Sequence, residues 1–192
     1  GNRENGIDSA AALTQAHIGG SDPAARNLIV GSAFNAIRLA AGGGNPYLGT
    51  RIEGNWIGVA VDGRTPLPNG SNPQSTSQPQ ATLYFGGLDC RLVLGGTGAG
   101  EANRIAFGAA AGIQVDQCRG LSSPLNHFLG HRGPAIDNTS GGGAVGATAN
   151  DPGDADDGGN QLQNFPELTL PAGFLPGGGV AATISLRVDT AI

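Results

Sequence analysis

Two stretches of this chain, 76 positions apart, carry the same pattern. His17-Ile18-Gly19-Gly20, Asn27-Leu28-Ile29, Ala36-Ile37-Arg38-Leu39 and Arg51-Ile52-Glu53-Gly54-Asn55 occur in that order. They return as Val93-Leu94-Gly95-Gly96, Asn103-Arg104-Ile105, Gly112-Ile113-Gln114-Val115 and His127-Phe128-Leu129-Gly130-His131. The register holds without a gap from Ile18/Leu94 to Asn55/His131. Short apolar runs between Gly and Asn corners cannot bury a face singly, but stacked repeats close a continuous core. The expectation is therefore an all-β solenoid. Glycine, 35 of 192 residues, suits many tight corners, and aromatics at 5% exclude a core of large rings.

Three strand types alternate. The first holds Ile18, Ile52, Leu94 and Phe128. The second follows an Asn, as in Leu28-Ile29-Val30, Trp56-Ile57 and Arg104-Ile105-Ala106. The third centres on Ile7, Ile37, Leu83, Ile113 and Ile136. Spacings between third-strand positions are 30, 46, 30 and 23 residues, and the excess falls in loops such as Gly58–Gln80, with Pro66, Pro68, Pro73 and Pro79. These features predict a solenoid of about four three-strand coils over residues 1–163. A short β appendage is expected over 164–192, where 165–170 and 180–192 read as strands across a Pro/Gly-rich bend. In the second of these, Ile184, Leu186 and Val188 share one face. An uncovered strand there is an edge open to a partner protein. The chain opens Gly1-Asn2 and enters a repeat by Gly6-Ile7-Asp8, so it reads as a piece of something longer, with no signal peptide visible.

Three motifs carry a resemblance. They are Asn55-Trp56-Ile57-Gly58 with Asp62-Gly63 and Leu67-Pro68-Asn69-Gly70, Ile18-Gly19-Gly20 with Ala25-Arg26-Asn27-Leu28-Ile29, and Asn150-Asp151-Pro152-Gly153-Asp154-Ala155-Asp156 with Asn160-Gln161-Leu162-Gln163-Asn164-Phe165-Pro166. Together they resemble large bacterial secreted or cell-surface proteins with right-handed parallel β-helix repeats, over about residues 1–168. Val59-Ala60-Val61 departs from the Gly-Thr-Asp entry of that group's first motif. The resemblance implies a secreted or cell-surface setting and an architecture more than an activity. In such proteins a β-sandwich often follows, so the tail is expected to be its first strands or to pack on the open end of the coil.

Charge is sparse and acidic, −5, and all ten basic residues are Arg. Without Lys there is no Schiff base and no P-loop lysine, and the acidic balance argues against a nucleic-acid partner. No run approaches the ~18 apolar residues of a membrane span. Cys90 and Cys118 each follow the third strand of a successive coil, either as buried thiols or as a disulfide fitting an extracellular setting. Asp151, Asp154, Asp156 and Asp157 lie within seven residues, a partial calcium-loop pattern without the later bidentate Glu of an EF-hand; the alternative is a solvated acidic turn.

A polysaccharide lyase or hydrolase needs clustered carboxylates. The third strands place Asp8, Arg38, Tyr84, Gln114 and Asp137 in one row, where Asp8 and Arg38 fall on adjacent rungs while Asp8 and Asp137 stand roughly 19 Å apart. Asp89 and Asp116 make the best acid pair available. His17, Arg51, Val93 and His127 form the matching row on the first strand, and His127 and His131 have no helix to put them on one face. Asn27, Asn55 and Asn103 recur at one corner and are expected to stack. Trp56, Tyr47 and Tyr84 are candidate sugar-stacking faces. The expected function is carbohydrate or host-surface binding without catalysis, on a polysaccharide, a surface glycan or another protein; the alternatives are a spacer within a larger surface protein and a polysaccharide-active enzyme.

Overall fold

The computed structural model describes residues 2–44, 46–70, 81–140 and 146–165, and the backbone of two further strands, 167–169 and 185–187. Fourteen strands follow in chain order. They are β1 (Ile7–Ser9), β2 (His17–Gly19), β3 (Leu28–Ile29), β4 (Ile37–Ala40), β5 (Arg51–Glu53), β6 (Trp56–Ile57) and β7 (Leu83–Gly86), then β8 (Val93–Leu94), β9 (Asn103–Ala106), β10 (Ile113–Asp116), β11 (Asn126–Leu129), β12 (Ile136–Thr139), β13 (Glu167–Thr169) and β14 (Ser185–Arg187). Helix among the described residues is confined to two short 3-10 turns, Pro23–Ala25 and Gly159–Leu162, and none is long and apolar enough to cross a membrane.

The first twelve strands build three separate parallel sheets, ordered β1-β4-β7-β10-β12, β2-β5-β8 and β3-β6-β9-β11. Each circuit of the chain adds one strand to each sheet, until the last. There the visit to the β2-β5-β8 sheet shrinks to a single bridge, Val93 with Ser122. Register aligns like residues across strands: Ile37, Leu83 and Ile113 in one line, Leu39, Phe85 and Val115 in another, Ile52 with Leu94, Ile57 with Ile105. All ten are fully buried, at about 1.5–3 kcal/mol each for the larger side chains. Strand alternation turns the intervening residues outward. End rungs lack a neighbour on one side, so Ile136, in register with Ile113, remains 40% exposed.

The corner before the second sheet is held by a stack of four asparagines. The backbone and side-chain N–H groups of Asn27 both donate to Asn55 Oδ1 (3.2 and 2.9 Å). Those of Asn55 donate to Asn103 Oδ1 (both 3.0 Å), and those of Asn103 to Asn126 Oδ1 (3.1 and 2.9 Å). The Nδ2 groups of Asn55, Asn103 and Asn126 also reach the carbonyls of Ile18, Ile52 and Leu94 (2.8, 2.8 and 2.9 Å). Asn55, Asn103 and Asn126 therefore each tie two sheets together. Gly54 precedes this corner at φ +69°, and a Cβ there would stand 2.0 Å from the Gly20 carbonyl oxygen, so no larger residue fits.

The asparagine stack corrects one expectation. His127 and Phe128 do not continue the row of His17, Arg51 and Val93. They lie on β11, paired with Arg104 and Ile105 of the second sheet. The final circuit takes 23 residues rather than 30, so the first-sheet strand is lost and Asn126 sets the phase. The strands β13 and β14 pair antiparallel, Leu168 opposite Leu186. The bend at 171–179, the alternation expected of Ile184 and Val188, and Pro73 and Pro79 of the long loop lie outside the described residues.

Asn103→Ala should lower stability by about 2–6 kcal/mol, because the buried partners Asn55 and Ile52 each lose a bond at about 1–3 kcal/mol. Asn27→Ala, at the exposed end of the stack, should cost about 1 kcal/mol or less. Urea unfolding of the two variants measures the difference.

Candidate functional site

The row Asp8, Arg38, Tyr84, Gln114, Asp137 is in register across the five-stranded sheet as the spacing predicts. Arg38 Nη1 meets Asp8 Oδ1 at 3.0 Å, and its guanidinium lies 5.9 Å from the Tyr84 ring centre. Tyr84 donates to Asp116 Oδ2 (2.9 Å), and burial, then the Asp116 charge, raises the phenol above its ordinary range. Tyr84 is therefore a linker between charged groups rather than an open ring face. Tyr47 is fully buried: its hydroxyl accepts from the Ala41 N–H and donates to the Gly86 carbonyl (3.2 Å), and burial raises its pKa. It cannot stack on a sugar. Sequence alternation gave no signal for this, because Tyr47 lies in a corner rather than on a strand.

Asp89 and Asp116 are not equivalent positions. Asp116 ends β10 opposite Gly86, whereas Asp89 stands three residues beyond Gly86 in an exposed corner at φ +49°. His131 is half-buried, with Nδ1 accepting from the Gly108 N–H (3.1 Å) and Nε2 3.0 Å from the Ile105 carbonyl. That pair of contacts defines a neutral imidazole, and desolvation lowers its pKa. Cys90 and Cys118 are joined by a buried disulfide spanning 28 residues.

The far end of the five-stranded sheet is covered by the chain after β12. Gly146 donates its N–H to Asp137 Oδ2 (3.1 Å), and Asp137 is 1% exposed. Asp137 Oδ1 and its in-register neighbour Gln114 Oε1 are both buried without a hydrogen-bond partner among the described residues. Burial raises the Asp137 pKa, against the smaller opposing effect of the Gly146 N–H. Gly159 passes so close to β10 that a Cβ would stand 1.9 Å from the Val115 carbonyl oxygen. Asn160 continues the cover, donating its N–H to the Cys118 carbonyl (2.9 Å) and accepting from the Leu121 N–H at Oδ1 (3.1 Å).

Between these contacts, residues 150–165 close on themselves through two asparagines. Asn150 takes both main-chain groups of Phe165 (2.9 Å each). Asn164 takes both main-chain groups of Asp151 (3.0 and 2.7 Å). The acidic cluster is held inside this loop. Asp154 Oδ1 accepts from the Asn164 N–H (2.9 Å) and Asp151 Oδ2 from the Ala155 N–H (3.2 Å). Asp151, Asp154 and Asp156 each present one oxygen, all within 4.8 Å of one another. Asp151 Oδ1 and Asp156 Oδ1 are shielded from solvent without a donor among the described residues. Three oxygens so placed match the hard-oxygen donor set of a calcium ion. Asp157, grouped with them by sequence, turns away to pair with Arg119.

Trp56 lies on the outside of the second sheet, in one row with Leu28, Arg104 and His127. The Arg26 guanidinium sits 4.3 Å from its ring centre, and Arg26 Nε donates to the Gly54 carbonyl (3.0 Å). Residues 59–66 fold back beside the ring, with an isolated bridge between Val59 and Pro66. Gly63 at the tip accepts from Arg104 Nη1. Asp62 is occupied within that fold, accepting from the Thr65 hydroxyl and the N–H groups of Thr65 and Arg64, and these bonds hold its carboxyl at about 2. Arg26 was not singled out by sequence; its place just before the Asn27 corner is the signal that would have found it.

Compared with protein-family models, curated proteins and solved structures, the chain matches none.

The raised pKa of Asp137 sets a pH dependence. Because the folded state favours its protonated form, its contribution to stability is present below the ordinary carboxyl pKa and is lost as pH rises through the raised one. Asp137→Asn keeps an acceptor for Gly146 and removes the buried charge. Thermal melts should show the variant more stable than the parent at pH 7–8, with the gap closing toward pH 4.

Proposed function

We propose that this chain is a right-handed parallel β-helix module of a secreted or cell-surface protein that binds a surface glycan without altering it. The architecture is supported by three parallel sheets visited in rotation, and the hand by the strong preference of parallel crossovers for right-handedness. The extracellular setting is supported by the buried disulfide. In this reading residues 1–163 are the coil and 164–192 an appendage that starts at the paired strands β13 and β14.

The observation that carries glycan binding is the outward row of the second sheet. With Arg26 held over Trp56, it brings together an indole, two guanidinium groups and an imidazole, with a folded-back loop at its side. Of the three aromatic candidates only Trp56 stays on the outside with such company; Tyr47 is enclosed and Tyr84 is engaged by Asp116. Size-exclusion chromatography with a panel of neutral and acidic polysaccharides tests the function. The expected result is co-elution of chain and polymer with no shortening of the polymer. Shortened polymer would instead make the protein a lyase or hydrolase, and no co-elution would favour the spacer.

A second role is favoured by the oxygens of Asp151, Asp154 and Asp156. These residues would hold a calcium ion, which would neutralise three converging carboxylates and lock the loop 150–165 over the end of the coil. Extracellular sites of this kind bind at about 10⁻⁴–10⁻³ M. Calcium at about 100 times its Kd would add about 2.7 kcal/mol of stability, or several degrees in Tm. Asp154→Asn should abolish the calcium-dependent rise, while Asp157→Asn should retain it. Calorimetric melts with calcium and with a chelator measure both.

A further inference from the structure

We infer that the glycan bound on the second sheet is an anionic one, its acid groups met by Arg26, Arg104 and His127 across the strands. This inference rests on the glycan-binding function proposed above and names the class of its ligand.

The argument starts from charge. The chain is acidic overall, −5, yet this face presents Arg26, Arg104 and His127 together. Three ion pairs are found among the described residues, Arg38–Asp8, Arg51–Glu53 and Arg119–Asp157, and none involves these three residues. Arg26 and Arg104 are instead fixed by carbonyl oxygens, Gly54 for Arg26 Nε and Gly63 for Arg104 Nη1. A carbonyl orients a guanidinium without cancelling its charge, so the cations are held in place and left positive. Asp62, the acid nearest in sequence to Gly63, is engaged by Thr65 and Arg64 main-chain and side-chain donors within its own loop.

Trp56 acts as a positioning residue. Its ring lies under the Arg26 guanidinium at 4.3 Å, a cation–π contact that holds the fork over the outer face of the sheet. A guanidinium presented this way suits bidentate capture of a carboxylate or sulfate. Trp56, Arg104 and His127 succeed one another on neighbouring strands, at the sheet period of about 4.8 Å. Arg104 and His127 at that interval, with Arg26 held over Trp56 beside them, fit a polymer carrying acid groups at regular steps along an extended chain. The exposed Leu28, in the same row, continues the line with an apolar surface for a sugar ring face.

The test uses the whole chain with three probes: polygalacturonate (carboxylate), heparin (sulfate) and dextran (neutral). Isothermal calorimetry at several salt concentrations reads affinity. Binding to one or both acidic polymers, weakening steadily as salt rises and far exceeding that to dextran, is the expected result. Whichever acidic polymer binds tighter identifies the acid group. The double variant R26Q/R104Q should lose about tenfold or more in affinity for it, the size of one charge-assisted hydrogen bond or more. H127Q, at an exposed position, should lose a smaller factor and keeps the test usable if the double variant folds poorly. Equal binding of dextran and acidic polymers, unchanged in R26Q/R104Q, would overturn the anionic inference and leave glycan binding standing. Binding to none of the three would remove both. Tighter binding to an acidic peptide or an oligonucleotide than to either polymer would overturn the inference in favour of that partner.

Discussion

The structure depends on asparagine side chains imitating the backbone. Parallel strands of two to four residues offer few ladder hydrogen bonds each, and the corners between them leave main-chain groups in need of partners. At one corner Asn27, Asn55, Asn103 and Asn126 meet that need on every circuit. The side chains of Asn55, Asn103 and Asn126 each accept twice from the rung before and also donate to the neighbouring sheet. Rung spacing, register and the angle between two sheets are thereby set by one residue type. The aliphatic lines of Ile37–Leu83–Ile113 and Leu39–Phe85–Val115 then fall into contact as a consequence of that register.

The same device closes the chain. Asn150 and Asn164 each capture both main-chain groups of a distant residue, so residues 150–165 fold into a closed loop whose regular structure is one short 3-10 turn. That loop brings three aspartates together and lays Asn160 on the Cys118 and Leu121 backbone beside the disulfide. The cost of enclosure appears at Asp137 Oδ1 and Gln114 Oε1, which lose water without gaining a donor among the described residues. The acidic end and the cationic second sheet therefore arise from one scaffold with different side chains turned outward.

Much of this was legible in the sequence. A period-two pattern with Gly and Asn corners is a local signal, so the third-strand row from Asp8 to Asp137 could be placed rung by rung. Where the sequence misled, the cause was a change of length. The final circuit dropped seven residues relative to its predecessor, and an unbroken 76-residue offset assigned His127 to the wrong sheet, although Asn126 carried the correct phase. Corner residues were the second blind spot. Tyr47 has no alternation to show which way it points, and its burial follows from hydrogen bonds to Ala41 and Gly86, of which Gly86 lies 39 positions away. Within the acidic loop, spacing alone grouped Asp157 with its neighbours; only the position of Arg119 separates it.

Hydrogen exchange at the asparagine corner tests this account most directly. The N–H groups of Asn55 and Asn103 donate to the next asparagine side chain, and those of Trp56 and Arg104 to the Asn27 and Asn55 carbonyls. If the stack organises the fold, these four amides exchange as slowly as those of Leu83 and Ile113 in the core, through global unfolding. Exchange of all four at rates typical of exposed loop amides, with the core amides still protected, would contradict it.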